Sequence, residues 1–124
     1  HGKGADDAIA VDAEAAPGEF TLDVVSQLRQ LAPFGAGNPE PKFLLRRAEL
    51  AGRPKLMGPH GEHLSFAVKT PTGAIRIVAF RRGAAHDLVA SGAPLDLVVT
   101  PTINEWRGVR TPELQAQGIE EPRR

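Results

Sequence analysis

His60 and His63, with Glu62 between them, form the His-x-x-His pair of this 124-residue chain. On a strand the two imidazoles fall on opposite faces, and His86 lies too far along the chain to complete a set of three or four protein ligands. The carboxylates of the middle region (Glu49, Glu62, Asp87, Asp96, Glu105) are scattered, with no pair spaced for acid–base work or for divalent-metal phosphoryl transfer. Ser26, Ser65 and Ser91 lack the Gly-x-Ser-x-Gly surroundings of an activated nucleophile. Gly35-Ala36-Gly37-Asn38 has the glycine content of a phosphate-cradling loop. However, it follows an expected helix instead of starting one, and no Gly-Lys-Ser/Thr accompanies it. No catalytic residue, metal site or cofactor is therefore expected in this segment. What remains is a set of cations and one indole: Arg53, Lys55, Lys69, Arg76, Trp106, Arg107 and Arg110. Guanidinium and ammonium groups neutralise phosphates, and an indole offers a face on which a base stacks.

The formal net charge of zero hides a division along the chain. Residues 1–40 hold two cations against seven carboxylates, a net of −5, and residues 41–111 hold eleven against five, a net of +6. A basic body behind an acidic lead-in points to a polyanionic partner; the other reading is an unevenly charged, solvated surface. The absence of cysteine excludes disulfide scaffolds and thiolate metal sites and fits a cytoplasmic protein. No apolar run reaches the roughly 18–20 residues that span a bilayer, so no membrane association is expected. The start at His1, with no initiator methionine and no signal peptide, suggests a piece cut from a longer protein.

The cations must be positioned by a mostly β scaffold. Residues 1–19 read as an extended lead-in with an edge strand near Ile9 and Val11, ending at Pro17-Gly18. Leu22, Val25, Leu28 and Leu31 then recur at helical spacing, predicting a helix over 21–32 with Thr21 as N-cap and Phe20 stapled to Val25. Pro33-Phe34-Gly35-Ala36-Gly37-Asn38-Pro39-Glu40-Pro41 is a stiff, shaped linker. From Phe43 the period changes to two. Strands are expected over 43–51, 63–70, 74–80, 95–103 and about 114–119, with a turn-rich connection over 53–62, a short helix over 83–90 and a loop over 104–110. Phe43, Phe66 and Phe80 are assigned to the core.

Five antiparallel strands with a helix between the third and fourth are the order of an OB-fold barrel, here expected over residues 42–120, after a linker region 1–41 and before a tail 121–124. On such a barrel Lys69 and Arg76 lie on the second and third strands. Arg53 and Lys55 lie in the first connection, and Trp106, Arg107 and Arg110 in the last. Those strands and loops are the usual OB ligand surface. Trp106 has a second reading, as a side chain packing its loop onto the barrel. One tryptophan and no tyrosine make a poor sugar platform, which disfavours an oligosaccharide ligand.

Several stretches together resemble the RecJ family of single-stranded-DNA-specific exonucleases. Ile9-Ala10-Val11-Asp12-Ala13-Glu14, followed by the helix ending in Leu31-Ala32 and the Pro33–Pro41 string, is similar to the family's passage from its DHHA1 domain into its OB domain. His63-Leu64-Ser65-Phe66, Ile77-Val78-Ala79-Phe80 with Gly83, and Asn104-Glu105-Trp106-Arg107-Gly108 with Leu114-Gln115 continue the likeness over residues 9–120. Ser65 stands where the family has lysine, and Pro112-Glu113 interrupts the approach to the last strand. The resemblance implies a parent enzyme that degrades single-stranded DNA 5′→3′ in recombination and repair, with a Mn²⁺- or Mg²⁺-dependent DHH core outside this segment. The partners it implies are single-stranded DNA, the catalytic DHH and DHHA1 domains of the same chain, and single-strand-binding protein. A purely structural or protein-docking barrel is the other reading.

Overall fold

Strict alternation organises the centre of the molecule. In the computed structural model, which describes residues 11–122, Leu64, Phe66 and Val68 point inward from one strand, and Ile75, Ile77 and Ala79 point inward from the next. The strands are β1 (Ala13–Glu14), β2 (Phe43–Ala48), β3 (Lys55–Met57), β4 (His63–Thr70), β5 (Gly73–Ala79), β6 (Leu95–Trp106) and β7 (Val109–Glu120). Among the described residues the α-helices α1 (Leu22–Arg29) and α2 (His86–Ala90) accompany them. The lead-in before residue 11, including Ile9 of the expected edge strand, lies outside the described residues.

The fold is mainly β with few helices, but the expected five-stranded antiparallel barrel is corrected. The strands form one seven-stranded mixed sheet in the order β1-β2-β6-β7-β5-β4-β3. Two of its pairings are parallel, β1 with β2 and β5 with β7. β5 and β7 run parallel because α2 leads from β5 into β6, and the β6–β7 hairpin reverses the chain once more before it pairs with β5. β3 and β1 add the two strands beyond five. The sheet curls strongly: the chain leaving β2 makes a bridge between Leu50 and Val68, flanked by Lys69 N–H to Glu49 carbonyl (2.8 Å) and Ala51 N–H to Ala67 carbonyl (2.9 Å). The bend comes from a bulge after Leu45, where Arg47 adopts φ 51° and donates its N–H to buried Asp96 at 2.9 Å.

Leu45, Leu64, Ile77, Leu97 and Leu114 are fully buried within the curl, each contributing about 1.5–3 kcal/mol relative to exposure. α1 closes one opening with Val25 fully buried, and α2 supplies Val89. Thr21 caps α1, its Oγ1 accepting the Val24 N–H at 3.2 Å, and buried Phe20 sits edge-on to Phe43. The helix ends at Arg29, earlier than the periodicity implied, and Leu31 is exposed. The Pro33–Pro41 linker is built as a scaffold. Asn38 donates its amide to the carbonyls of Leu31 and Pro33 (2.8 and 2.9 Å), and Arg29 lies over the Phe34 ring while pairing with Glu40 at 2.7 Å.

Pro101 and Pro112 sit inside long strands without breaking them, for one reason. β2 pairs with β6 only as far as Val99, and β5 pairs with β7 only from Glu113, so each proline occupies a stretch bonded on one side.

Candidate nucleic-acid interface

The residues that face away from the core on β4, β5, β6 and β7 form one surface. Pairing register puts Ala67, Arg76, Glu113 and Thr102 in one row across four strands, and Lys55, Ser65, Val78, Gln115 and Thr100 in the next, where Val78 and Thr100 are buried. Arg76 is the cation at the middle of this face, and it is already engaged. Its guanidinium pairs with Glu113 at 3.1 Å, donates to Ser65 Oγ at 3.2 Å and reaches Met57 Sδ at 3.6 Å. Lys69, further along β4, lies 3.8 Å from Glu49, with both side chains mostly exposed. Arg53 and Lys55 flank the face from the β2–β3 side and have no ion-pair partner among the described residues.

The expected loop over 104–110 is a β-ribbon instead. β6 and β7 stay paired to Trp106 and Val109, joined by a two-residue turn in which Arg107 (φ 51°) and Gly108 (φ 79°) both take positive φ. That conformation matches the right-handed twist of the ribbon, and glycine adopts it without strain. The consequence for the site is directional. Trp106 and Val109, 65% and 62% exposed, share the face that carries Arg76, whereas Arg110 and its cross-strand partner Glu105 lie on the opposite face of the ribbon. Trp106 is therefore a projecting side chain and does not pack its turn onto the sheet. The Arg107 guanidinium lies over the exposed indole, 4.4 Å from the ring centroid, a cation held against one aromatic face.

At the other end of the face the assignment of Phe80 to the core is corrected. It is 54% exposed, with its ring edge-on to His63 at 5.3 Å. The alternation that buries Ile75, Ile77 and Ala79 turns Phe80 outward, a signal present in the sequence and overridden by its aromatic type. Arg81 follows at φ 61°, held by its N–H donating to His63 Nδ1 at 2.9 Å. The His60/His63 pair thus separates in role. His63 anchors the β5 exit, and the His60 N–H donates to Glu62 Oε1 at 3.0 Å. The Glu62 carboxyl is held below the usual carboxylate range, first by its own main-chain N–H and then by that of His60. Among the described residues no group of three His, Asp or Glu could hold a metal ion, and no helix is long and apolar enough to cross a membrane.

Comparison with known proteins places these features in a family. A family model described as the RecJ OB domain matches residues 11–118. The single-stranded-DNA-specific exonuclease RecJ of Bacillus subtilis (strain 168) is 26% identical over 96 residues, covering 77% of this chain and 12% of that protein. The exonuclease of the same name from Thermus thermophilus is 35% identical over 101 residues, covering 80% of this chain and 13% of that protein. The crystal structure of the Thermus RecJ in complex with Mn²⁺ superposes with a TM-score of 0.70 at 28% identity, covering 94% of this chain and 16% of that one. The Mg²⁺ complex gives 0.68 at 30% identity, covering 94% of this chain and 17% of that one. The chain thus spans 12–13% of the length of the curated relatives it matches.

Proposed function

Because the chain belongs to the RecJ OB domain family, we propose that it is the single-stranded-DNA-binding domain of a RecJ-like 5′→3′ exonuclease, gripping the strand that feeds a catalytic core elsewhere in the protein. The observation that carries this reading is the tip of the β6–β7 ribbon, where an exposed indole and a guanidinium stand together on the face that also bears Arg76. A base stacked on Trp106 would leave its phosphate within reach of Arg107. Arg53, Lys55, Lys69 and Arg76 would follow the backbone across the sheet, without reading sequence.

In this reading the DHH and DHHA1 domains and their Mn²⁺ or Mg²⁺ ions do the chemistry, in the cytoplasm, during recombination and repair. This segment supplies footprint. Single-strand-binding protein is the further partner that fits such a setting. The rival reading, a structural or docking domain, draws on the exposed Val24 and Leu31 at α1, an apolar surface that another domain could cover.

Titration of a labelled oligonucleotide with the 124-residue chain at low salt decides between them. Binding that weakens as salt rises, with a slope of about −0.7 per neutralised phosphate, supports the DNA reading. No binding, or binding indifferent to both Trp106→Ala and Arg107→Ala, overturns it in favour of docking.

A further inference from the structure

The β5 exit and the second half of β7 border a groove whose lining includes neither Trp106 nor Arg76. One part, about 390 Å³, is lined by Phe80, Arg81, Arg82, Gln115, Ala116 and Gln117. Its continuation, about 470 Å³, runs past Arg81, Arg82 and Gln117 toward Ile119 and Glu120. Each falls within the ~300–1,000 Å³ range of small-ligand pockets.

Several features hold this groove in shape. Arg81 is a non-glycine residue in the left-handed region, a strained conformation kept only where the surroundings enforce it. Here the enforcement is the His63 acceptor for the Arg81 N–H and the Gly83 N–H donating to the Glu62 carbonyl at 3.0 Å. Gly83 lies so close to the preceding turn that a Cβ there would run into the Gly61 carbonyl oxygen. On the opposite wall β7 bulges between Ala116 and Gly118, Arg82 donates to the Gln117 carbonyl, and the Gln117 amide donates to Thr100 Oγ1 at 3.0 Å. The Gln117 Oε1 is buried with no donor. An exposed ring and two adjacent arginines, one of them bonded to the Gln117 carbonyl, thus line one cleft.

We propose that this cleft is a nucleotide subsite at the far end of the strand path from Trp106: one base of single-stranded DNA stacks on Phe80 while Arg81 and Arg82 hold the adjoining phosphate. The inference rests on the DNA-binding reading above and adds a second stacking point to it. Charge complementarity selects the occupant, because the Phe80 end carries two cations and Glu120 lies only at the distant end. Continuity selects it too, since Phe80 lies on the outward face of the chain running on from β5, in line with Arg76, and a strand crossing from Trp106 over Arg76 arrives at this cleft.

The test uses thymidine oligonucleotides of graded length with the 124-residue chain at low salt. For oligonucleotides long enough to span the face, Phe80→Ala should weaken binding about tenfold, and Arg81→Asn, which keeps a residue tolerant of positive φ, should flatten the salt dependence. The shortest oligonucleotides, held at Trp106 alone, should be indifferent to both. A Trp106→Phe, Phe80→Trp protein carries its only indole in the cleft, and that fluorescence should quench as the long oligonucleotide binds. Tight binding that depends on Trp106 but ignores Phe80→Ala and Arg81→Asn, with no quenching, overturns the subsite and leaves the DNA-binding reading standing. Failure of every oligonucleotide to bind overturns both.

Discussion

Arg76 and Glu113 face each other across the parallel β5–β7 pairing at 3.1 Å, the arginine half exposed and the glutamate largely buried. The most central cation of the proposed DNA face is therefore neutralised within the protein. A phosphate arriving there must compete with a carboxylate held in place by the sheet. Glu113→Gln should release Arg76, tighten single-stranded DNA binding severalfold and steepen the salt dependence by up to about 0.7. Unchanged or weaker binding in that variant would show that Arg76 serves the sheet and not the ligand.

Glu62 gives the turn before β4 a pH dependence. Its carboxyl is held below the ordinary carboxylate range by main-chain N–H groups, its own first and that of His60 second, so the ionised form is favoured in the folded state. A depressed carboxyl pKa contributes stability that is complete above the unfolded-state value and is lost as pH falls through the folded one. Unfolding midpoints measured down an acid series should fall less steeply for Glu62→Gln than for the parent chain. Glu62 is only partly buried, so the difference should be small.

Much of this architecture was legible from residue order, and the exceptions share a cause. The alternation of Leu64, Phe66 and Val68 and the Thr21 cap are local signals, and both appear as read. The parallel pairings of β1 with β2 and of β5 with β7 join segments far apart in sequence, which no local period encodes. β3 is three residues among glycines and prolines, too short to show a period. The 104–110 stretch is polar enough to read as a loop, and only its Arg107-Gly108 step hints at a tight turn within a ribbon. All seven cation and indole positions named from the sequence are exposed. Their division into paired (Lys69, Arg76) and unpaired (Arg53, Lys55) depends on Glu49 and Glu113, whose proximity exists only in the folded sheet.

The core prediction concerns Leu114. It is fully buried on β7 and lies opposite Pro101 of β6 and Ile77 of β5, where the two ladders meet. Leu114→Ala should cost about 2–5 kcal/mol, the lost transfer energy plus the cavity left behind. Urea unfolding monitored by circular dichroism measures it. A loss under about 1 kcal/mol would mean that the sheet collapses around the gap.

The last prediction follows from the parity of the β6–β7 ribbon. Trp106 projects on the face that bears Arg76, Arg107 lies against the indole, and Arg110 sits across from Glu105 on the other face. Trp106→Ala should weaken single-stranded DNA binding by about 1–3 kcal/mol whatever the base sequence, because stacking needs only a π-face. It should leave the unfolding midpoint nearly unchanged, since the indole is 65% exposed. Arg107→Ala should reduce the salt slope by up to about 0.7, the loss of one phosphate contact. Arg110→Ala should do much less, as its guanidinium is separated from the strand path by the ribbon and has Glu105 opposite it. Three titrations over a salt series, with thermal unfolding of each variant alongside, separate these effects. Equal losses from Arg107→Ala and Arg110→Ala would place the strand around the ribbon tip instead of along one face. An Arg110→Ala loss larger than that of Trp106→Ala would move the interface to the opposite side of the sheet.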